Sequence, residues 1–210
     1  MQAHETVDDS QLMIRVAKGD KDALCKLIDS WEKPLSGFIY RYVQNKEATC
    51  ELVQETFVRV YEARDRFKSD MKFSSWLFKI ASNLCKNYYR WRSRHPEDLV
   101  GDDEFEPCSD GAYEMSRPEE DPSEILARRE DAARIEECVA KMPHPLKVAL
   151  LLHYYQDLSY KEIAATLGCS ERGVETRLYR ARAWLTKQME HRAEEKCGSR
   201  FFAFTRVGRS

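Results

Sequence analysis

The chain has 210 residues, a formal net charge of −2 and 42% hydrophobic residues, enough for one ordinary domain or two small ones. Its seven cysteines (Cys25, Cys50, Cys85, Cys108, Cys138, Cys169 and Cys197) are scattered and never form a C-x-x-C pattern. That argues against a disulfide framework or a zinc site and for free thiols in a reducing cytoplasm. No apolar run reaches membrane-spanning length, the N-terminal MQAHETVDDSQLM lacks a signal-peptide core, and no nucleophile–base pair, Gly-rich phosphate loop or metal-ligand cluster is present. A soluble, cytoplasmic protein is expected, with no membrane insertion, no cofactor, no metal and no enzymatic activity.

The small net charge conceals a division. From Glu97 to Glu124 twelve acids face a single base, Arg117, so that segment carries −11 and the remainder +9. Two basic parts joined by an acidic one often accompany nucleic-acid binding.

Helical spacing runs through both basic parts. Asp9 or Ser10 can cap a first helix, with Leu12, Val16, Leu24, Leu27, Ile28 and Trp31 at its apolar positions and a break at Gly19-Asp20. Pro34 fits the first turn of a next helix carrying Leu35, Phe38, Ile39, Tyr42 and Val43. After a turn at Asn45-Lys46, the spacing predicts a helix over Ala48–Arg66. Val53, Phe57, Val60, Tyr61 and Arg64 lie along one side of it and Glu51, Gln54, Glu55 and Glu62 along the other, with a break at Ser69-Asp70.

The next helix starts near Ser74 or Ser75, with Leu77, Ile80, Ala81, Leu84 and Tyr88 as its buried stripe. Met71 to His95 contains no acidic residue. Lys79, Asn83, Lys86 and Arg90 share a second face of this helix. Trp76, Tyr88, Tyr89 and Trp91 are interleaved with the cations, a mixture that suits unstacked bases and phosphates. At least one of Trp76 and Phe78 should pack inward, and at least one of Tyr88, Tyr89 and Trp91 should remain exposed.

Residues from about His95 to Pro122 are rich in acid, Gly, Pro and Ser, the composition of a flexible linker. Helices resume at Ser123, are interrupted by Pro143 and Pro145, and continue over Leu146–Tyr155. The stretch LSYKEIAATLGCSERGVETRLYRARAWL, Leu158–Leu185, follows. Ser159 and Glu162 form a capping box, Gly168 can take the left-handed turn, and Ser170 caps a second helix. Ala164, Gly168 and Val174 have helix-turn-helix spacing. Arg172, Thr176, Arg177, Arg180 and, nearby, Arg182 lie outward, where they can reach phosphates and guanine edges in a major groove. A helical hairpin with a solvated charged face is the plain alternative. The spacing and the arginine bias together favour DNA binding. Trp184 reads as core and Cys169 as a small packing residue. The tail from Lys196, with four cations, three phenylalanines and no acid, is expected to be disordered.

The two blocks together resemble the extracytoplasmic-function sigma factors of the sigma-70 family. ELVQETFVRVYEAR is similar to the family's polymerase-docking helix, FSSWLFKIASNLCKNYYRWRSR to the segment that opens and reads the −10 element, and LSYKEIAATLGCSERGVETRLYRARAWL to the reader of the −35 element. The resemblance implies an all-α protein of two small helical domains, a region 2-like unit over residues 1–95 and a region 4-like unit over 123–190, with a linker at 96–122 and a tail at 191–210. Its partners would be promoter DNA and bacterial RNA polymerase core, met at the beta-prime clamp and the beta flap, with an anti-sigma factor as a further candidate. By the same resemblance Glu51, Leu52, Val53, Gln54, Glu55 and Phe57 would bind polymerase. Lys79, Asn83, Lys86, Asn87, Tyr88, Arg90, Arg92 and Arg94 would hold the −10 strand, and Lys161, Arg172, Thr176, Arg177, Arg180 and Arg182 the −35 duplex. Gly173 and Glu175 stand where family members often have Thr and Lys, so an unusual −35 sequence is expected. The competing reading is a dimeric helix-turn-helix regulator, which would protect two half-sites about a helical turn apart.

Overall fold

The computed structural model describes residues 9–68, 71–95 and 122–205, with side-chain surroundings in the last part for residues 132–190. Among the described residues there are eight α-helices, one 3-10 turn and no strand. The linker expected at 96–122 lies outside them except for Pro122, as does the break at Ser69-Asp70.

Helices α1 (Asp9–Ala17) and α2 (Lys21–Val43) are separated where the sequence placed the break. Gly19 takes φ +91, and the Asp20 carboxylate accepts from Ala23 N at 3.1 Å to cap α2. Arg15 holds the same carboxylate at 2.7 Å. Backbone and Arg15 hydrogen bonds together keep the Asp20 carboxyl below its usual range.

Pro34 does not open a new helix. It sits inside a continuous α2 of 23 residues, at the loss of one internal hydrogen bond. Leu27, Leu35, Phe38, Ile39, Tyr42 and Val43 are all buried, so the apolar stripe on both sides of the proline holds the helix together.

Gln44, at φ 57, closes α2, and Asn45 caps α3 (Lys46–Glu62) by accepting from Ala48 N at 2.7 Å. Helix α3 ends earlier than Arg66, in a 3-10 turn over Arg64–Arg66. Tyr61 and Arg64 are not on the inner side. Tyr61 is exposed, with the Arg64 guanidinium 4.4 Å from its ring centroid.

Helix α4 (Phe73–Arg92) buries Phe73, Trp76, Leu77, Phe78, Ala81 and Cys85. Trp76 and Phe78 are both core residues, joined to Trp31, Phe38 and Phe67 by edge-to-face contacts of 5.2 to 6.0 Å. The Trp31 indole N–H is satisfied by Asp9 at 3.1 Å.

The second half consists of α5 (Pro122–Lys141), α6 (His144–Tyr154), α7 (Tyr160–Leu167) and α8 (Glu171–Thr205). The capping box at the start of α7 is present, with Ser159 and Glu162 exchanging hydrogen bonds. Gly168 takes φ 62, and Ser170 Oγ accepts from Gly173 N at 3.1 Å. Helix α8 runs to Thr205, into the stretch expected to be disordered. The strong helix formers of TKQMEHRAEEK favour that continuation.

The two halves meet. Helices α5 and α6 lie against α2, and α7 lies against α4. One buried cluster runs from Leu12 to Ala181 across both.

Candidate nucleic-acid interface

The α4 stripe that faces the core leaves the opposite side to solvent. Lys79, Asn83, Lys86, Asn87, Arg90 and Arg94 are all exposed, and Tyr88 and Arg92 are half-buried at the flank. Asn87, Arg90, Ser93 and Arg94 line an open, polar pocket at the C-terminal end of α4. The Arg94 Nε donates to the Arg90 carbonyl at 2.9 Å, which folds that side chain back over the helix end. The aromatic left outside is Trp91, 46% exposed and stacked on His95 with centroids 5.0 Å apart. Tyr89 instead turns inward, its hydroxyl donating to the Tyr42 carbonyl at 3.0 Å. This face offers cations for phosphates, amides for base edges and an indole for stacking.

On α8, Val174, Leu178 and Ala181 are buried, which turns Arg172, Glu175, Thr176 and Arg180 outward. Arg177 is not on that face. It is half-buried, and its guanidinium lies 3.3 Å from the Cys169 sulfur in the turn. Arg182 is at the flank, its Nε donating to the Tyr154 hydroxyl at 2.8 Å. The Thr176 hydroxyl donates to Arg172 O at 2.9 Å, so it meets a ligand as an acceptor. Lys161 is exposed on the first turn of α7.

Sequence reasoning misses Tyr179, which is 72% exposed in the middle of the outward face. Its spacing of seven from Arg172 and three from Thr176 carries the signal. Aromatic residues at helical spacing usually pack inward, which hides it.

The face of α3 divides in a similar way. Glu51 and Gln54 are exposed, Leu52 and Glu55 are half-exposed, and Glu55 pairs with Arg59 at 2.7 Å. Val53 and Phe57 are core residues, 7% and 9% exposed. Val58 and Tyr61 extend the open face, at 50% and 40% exposure.

Residues 27–95 match the model of Sigma-70 region 2, and residues 132–185 match that of Sigma-70, region 4. The chain is 32% identical over 191 residues to the ECF RNA polymerase sigma-E factor of Escherichia coli K12, covering 89% of this chain and 96% of the relative. It belongs to the sigma-70 family, in the ECF group. It is also 31% identical over 182 residues to the RNA polymerase sigma-H factor of Pseudomonas aeruginosa, covering 87% of this chain and 94% of the relative.

Among solved structures, CnrH in complex with the cytosolic domain of CnrY is similar at a TM-score of 0.65 and 25% identity, covering 88% of this chain and 99% of that one. The sigma factor RpoE of Bartonella quintana, solved with the anti-sigma factor NepR, shares the fold at a TM-score of 0.56 and 19% identity, over 88% of this chain and 98% of that one. As a sigma factor the chain directs promoter-specific initiation by binding RNA polymerase and promoter DNA, and it is not itself an enzyme. Sigma factors act with core polymerase, so the dimeric regulator is not favoured. No helix among the described residues is long and apolar enough to cross a membrane.

Proposed function

We propose that three faces of this sigma factor divide the work of initiation in the cytoplasm. The outer face of α3 docks on core polymerase through Glu51, Gln54 and Glu55, with Leu52 beside them and Val53 and Phe57 holding the helix in place from within. The α4 face takes the melted −10 strand. Lys79, Lys86, Arg90, Arg92 and Arg94 meet its phosphates, while Asn83, Asn87 and Tyr88 meet its bases. The α8 face enters the −35 major groove with Arg172, Thr176 and Arg180, helped by Lys161, while Arg177 and Arg182 brace the turn and the flank.

The region 2-like unit spans 1–95 and the region 4-like unit 123–190, and the stretches matched by the family models, 27–95 and 132–185, fall inside them. The observation that carries this reading is the acid-free, solvent-facing side of α4. Docking both units on one polymerase supplies avidity that neither has alone. An anti-sigma factor is a further partner in this reading: among the similar chains, CnrH was solved with the cytosolic domain of CnrY and RpoE with the anti-sigma factor NepR.

The test is run-off transcription on fragments of the source genome with core polymerase, with and without the chain. New discrete transcripts that vanish with Glu51→Lys support the reading. Transcripts that persist with Glu51→Lys place docking elsewhere, and no initiation at all overturns it.

A further inference from the structure

The outward face of α8 carries one charge of the wrong sign for DNA. Arg172, Glu175, Thr176 and Tyr179 stand at spacings i, i+3, i+4 and i+7, and all four are exposed. A helix lying in a major groove reads base edges with that spacing. Arg172, Thr176 and Tyr179 suit the role by charge, hydroxyl and ring. Glu175 instead brings a carboxylate into the field of the phosphates, where a cation or a neutral group would bind more tightly.

Nothing within the fold accounts for that carboxylate. Glu171 lies in the first turn of α8, where a negative charge complements the helix dipole. Glu175 lies one turn further on, beyond that favourable region. Four residues after it, where a cation would pair with it along the helix, stands Tyr179. Two nearby cations are engaged elsewhere, Arg177 at the Cys169 sulfur and Arg182 at the Tyr154 hydroxyl. Among the described residues no hydrogen bond or ion pair forms with the Glu175 side chain.

The group beside it has the same polarity. The Thr176 hydroxyl donates to Arg172 O at 2.9 Å, which leaves its oxygen to accept. Glu175 and Thr176 together present acceptors to the groove. On the major-groove edges of the bases the donors are the N4 amine of cytosine and the N6 amine of adenine. The adenine amine stands beside N7, an acceptor that repels a carboxylate. The cytosine amine has no acceptor beside it on its own base. Guanine and thymine offer only O6, N7 and O4, which leave a carboxylate dehydrated against acceptors.

We propose that Glu175 is a specificity-determining residue of the −35 reader, accepting a hydrogen bond from the N4 amine of one cytosine and rejecting the other three bases at that position. This rests on the sigma-factor reading and names a base that the reading leaves open. The discrimination comes more from rejection than from attraction. With cytosine, the hydrogen bond offsets the repulsion from the phosphates. With guanine or thymine, the carboxylate loses its water and finds no donor. One mismatched pair in a specific site weakens binding by about five- to 150-fold, so replacing this cytosine is expected to cost about tenfold.

The test uses holoenzyme assembled from core polymerase and the full chain. A promoter on which the chain initiates in the run-off assay has its −35 element randomised, and the bound duplexes are sequenced. Wild type, Glu175→Ala and Glu175→Gln are compared, both replacements being good helix formers at an exposed site. The wild type should select cytosine about tenfold over the next base at one position. Glu175→Ala should lose that preference and keep the others. Glu175→Gln should lose it or turn it towards adenine, whose N6 and N7 a Gln amide pairs with. A wild type with no selected cytosine, or variants that keep the cytosine preference, overturns the proposal and leaves the sigma-factor reading standing. A chain that initiates on no promoter overturns that reading and this proposal together.

Discussion

Lys147 Nζ and the Tyr89 hydroxyl lie 3.3 Å apart although 58 positions separate them in the chain. That contact joins the helix proposed to hold the −10 strand to the helix that introduces the −35 reader. Burial lowers the Lys147 pKa to about 8, with the nearby Cys85 thiol acting in the opposite sense. The amine is therefore still mostly protonated at neutral pH, and the Tyr42 and Tyr89 rings, with centroids 4.8 Å from it, enclose a cation.

His144, hydrogen-bonded to Tyr42, gives the contact between the two halves a pH dependence. Burial, then Lys86, Lys147 and Arg177 nearby, lower its pKa from 6.5 to about 4. A depressed pKa on a base means that the native state resists the proton that the unfolded chain accepts. The His144 contribution is thus full above about pH 6.5 and is lost as pH falls towards 4. Urea midpoints at pH 7 and pH 5 should show the wild type weakening over that interval, and His144→Gln should show a smaller change. Equal changes in both would remove His144 from the acid response.

The two glycines of the helix-turn-helix should respond in opposite directions. Gly168 has φ 62 and open space where a Cβ would stand, so Gly168→Ala meets only backbone strain and should cost about 1 kcal/mol. Gly173 is helical, and a Cβ there would meet Ser170 Oγ at 3.4 Å, an ordinary contact. Gly173→Ala should stabilise by about 0.5–1 kcal/mol. Denaturant unfolding of the two variants reads both signs.

Much of this architecture is legible in the sequence because helical spacing and caps are local signals. Asp20, Asn45, Ser159 and Gly168 each mark a boundary within a few residues of where it lies. Pro34 misleads because its local preference for a first turn is real, and only packing along Leu27, Leu35 and Phe38 overrides it. The contact between the two halves is not legible at all. Lys147 reads as one surface lysine among many, and the rings around it come from Tyr42 and Tyr89, two positions that neighbouring sequence does not connect to it.

Pro34→Ala tests that account of α2. The substitution restores the missing helical N–H, worth up to about 3 kcal/mol in a helix interior. It also frees the unfolded chain, which takes back roughly 0.4–1 kcal/mol. A net gain of about 1–2 kcal/mol in unfolding free energy is expected. A loss would mean that the ring itself supports packing against the second half.

At the outward face of α8, Tyr179 and Arg180 should separate specificity from charge. Tyr179→Ala should leave stability within about 0.5 kcal/mol, as for an exposed position, and weaken recognition of the −35 element by about 1–3 kcal/mol if the ring meets a base. Arg180→Ala should weaken binding to all sequences and reduce the salt slope by about one. Glu175→Lys should raise the slope by about one. Binding of polymerase holoenzyme to matched and mismatched −35 fragments across a salt series checks all three.

The face of α3 allows a sharper separation of docking from folding. Glu51 and Gln54 are exposed, while Phe57, three positions beyond Gln54, is 9% exposed in the core. Glu51→Lys reverses a charge on the open side of the helix, so its unfolding should match the wild type within about 0.5 kcal/mol. If polymerase binds there, the same change should reduce affinity for core polymerase at least tenfold, with the effect diminishing in high salt. Phe57→Ala should instead cost about 3–5 kcal/mol of stability through the cavity it leaves, and its polymerase affinity should fall only as far as the folded fraction does. Parallel unfolding and polymerase-binding curves distinguish the cases. A Glu51→Lys chain that binds polymerase normally would move the docking surface towards Val58 and Tyr61, the apolar residues that the same helix leaves open.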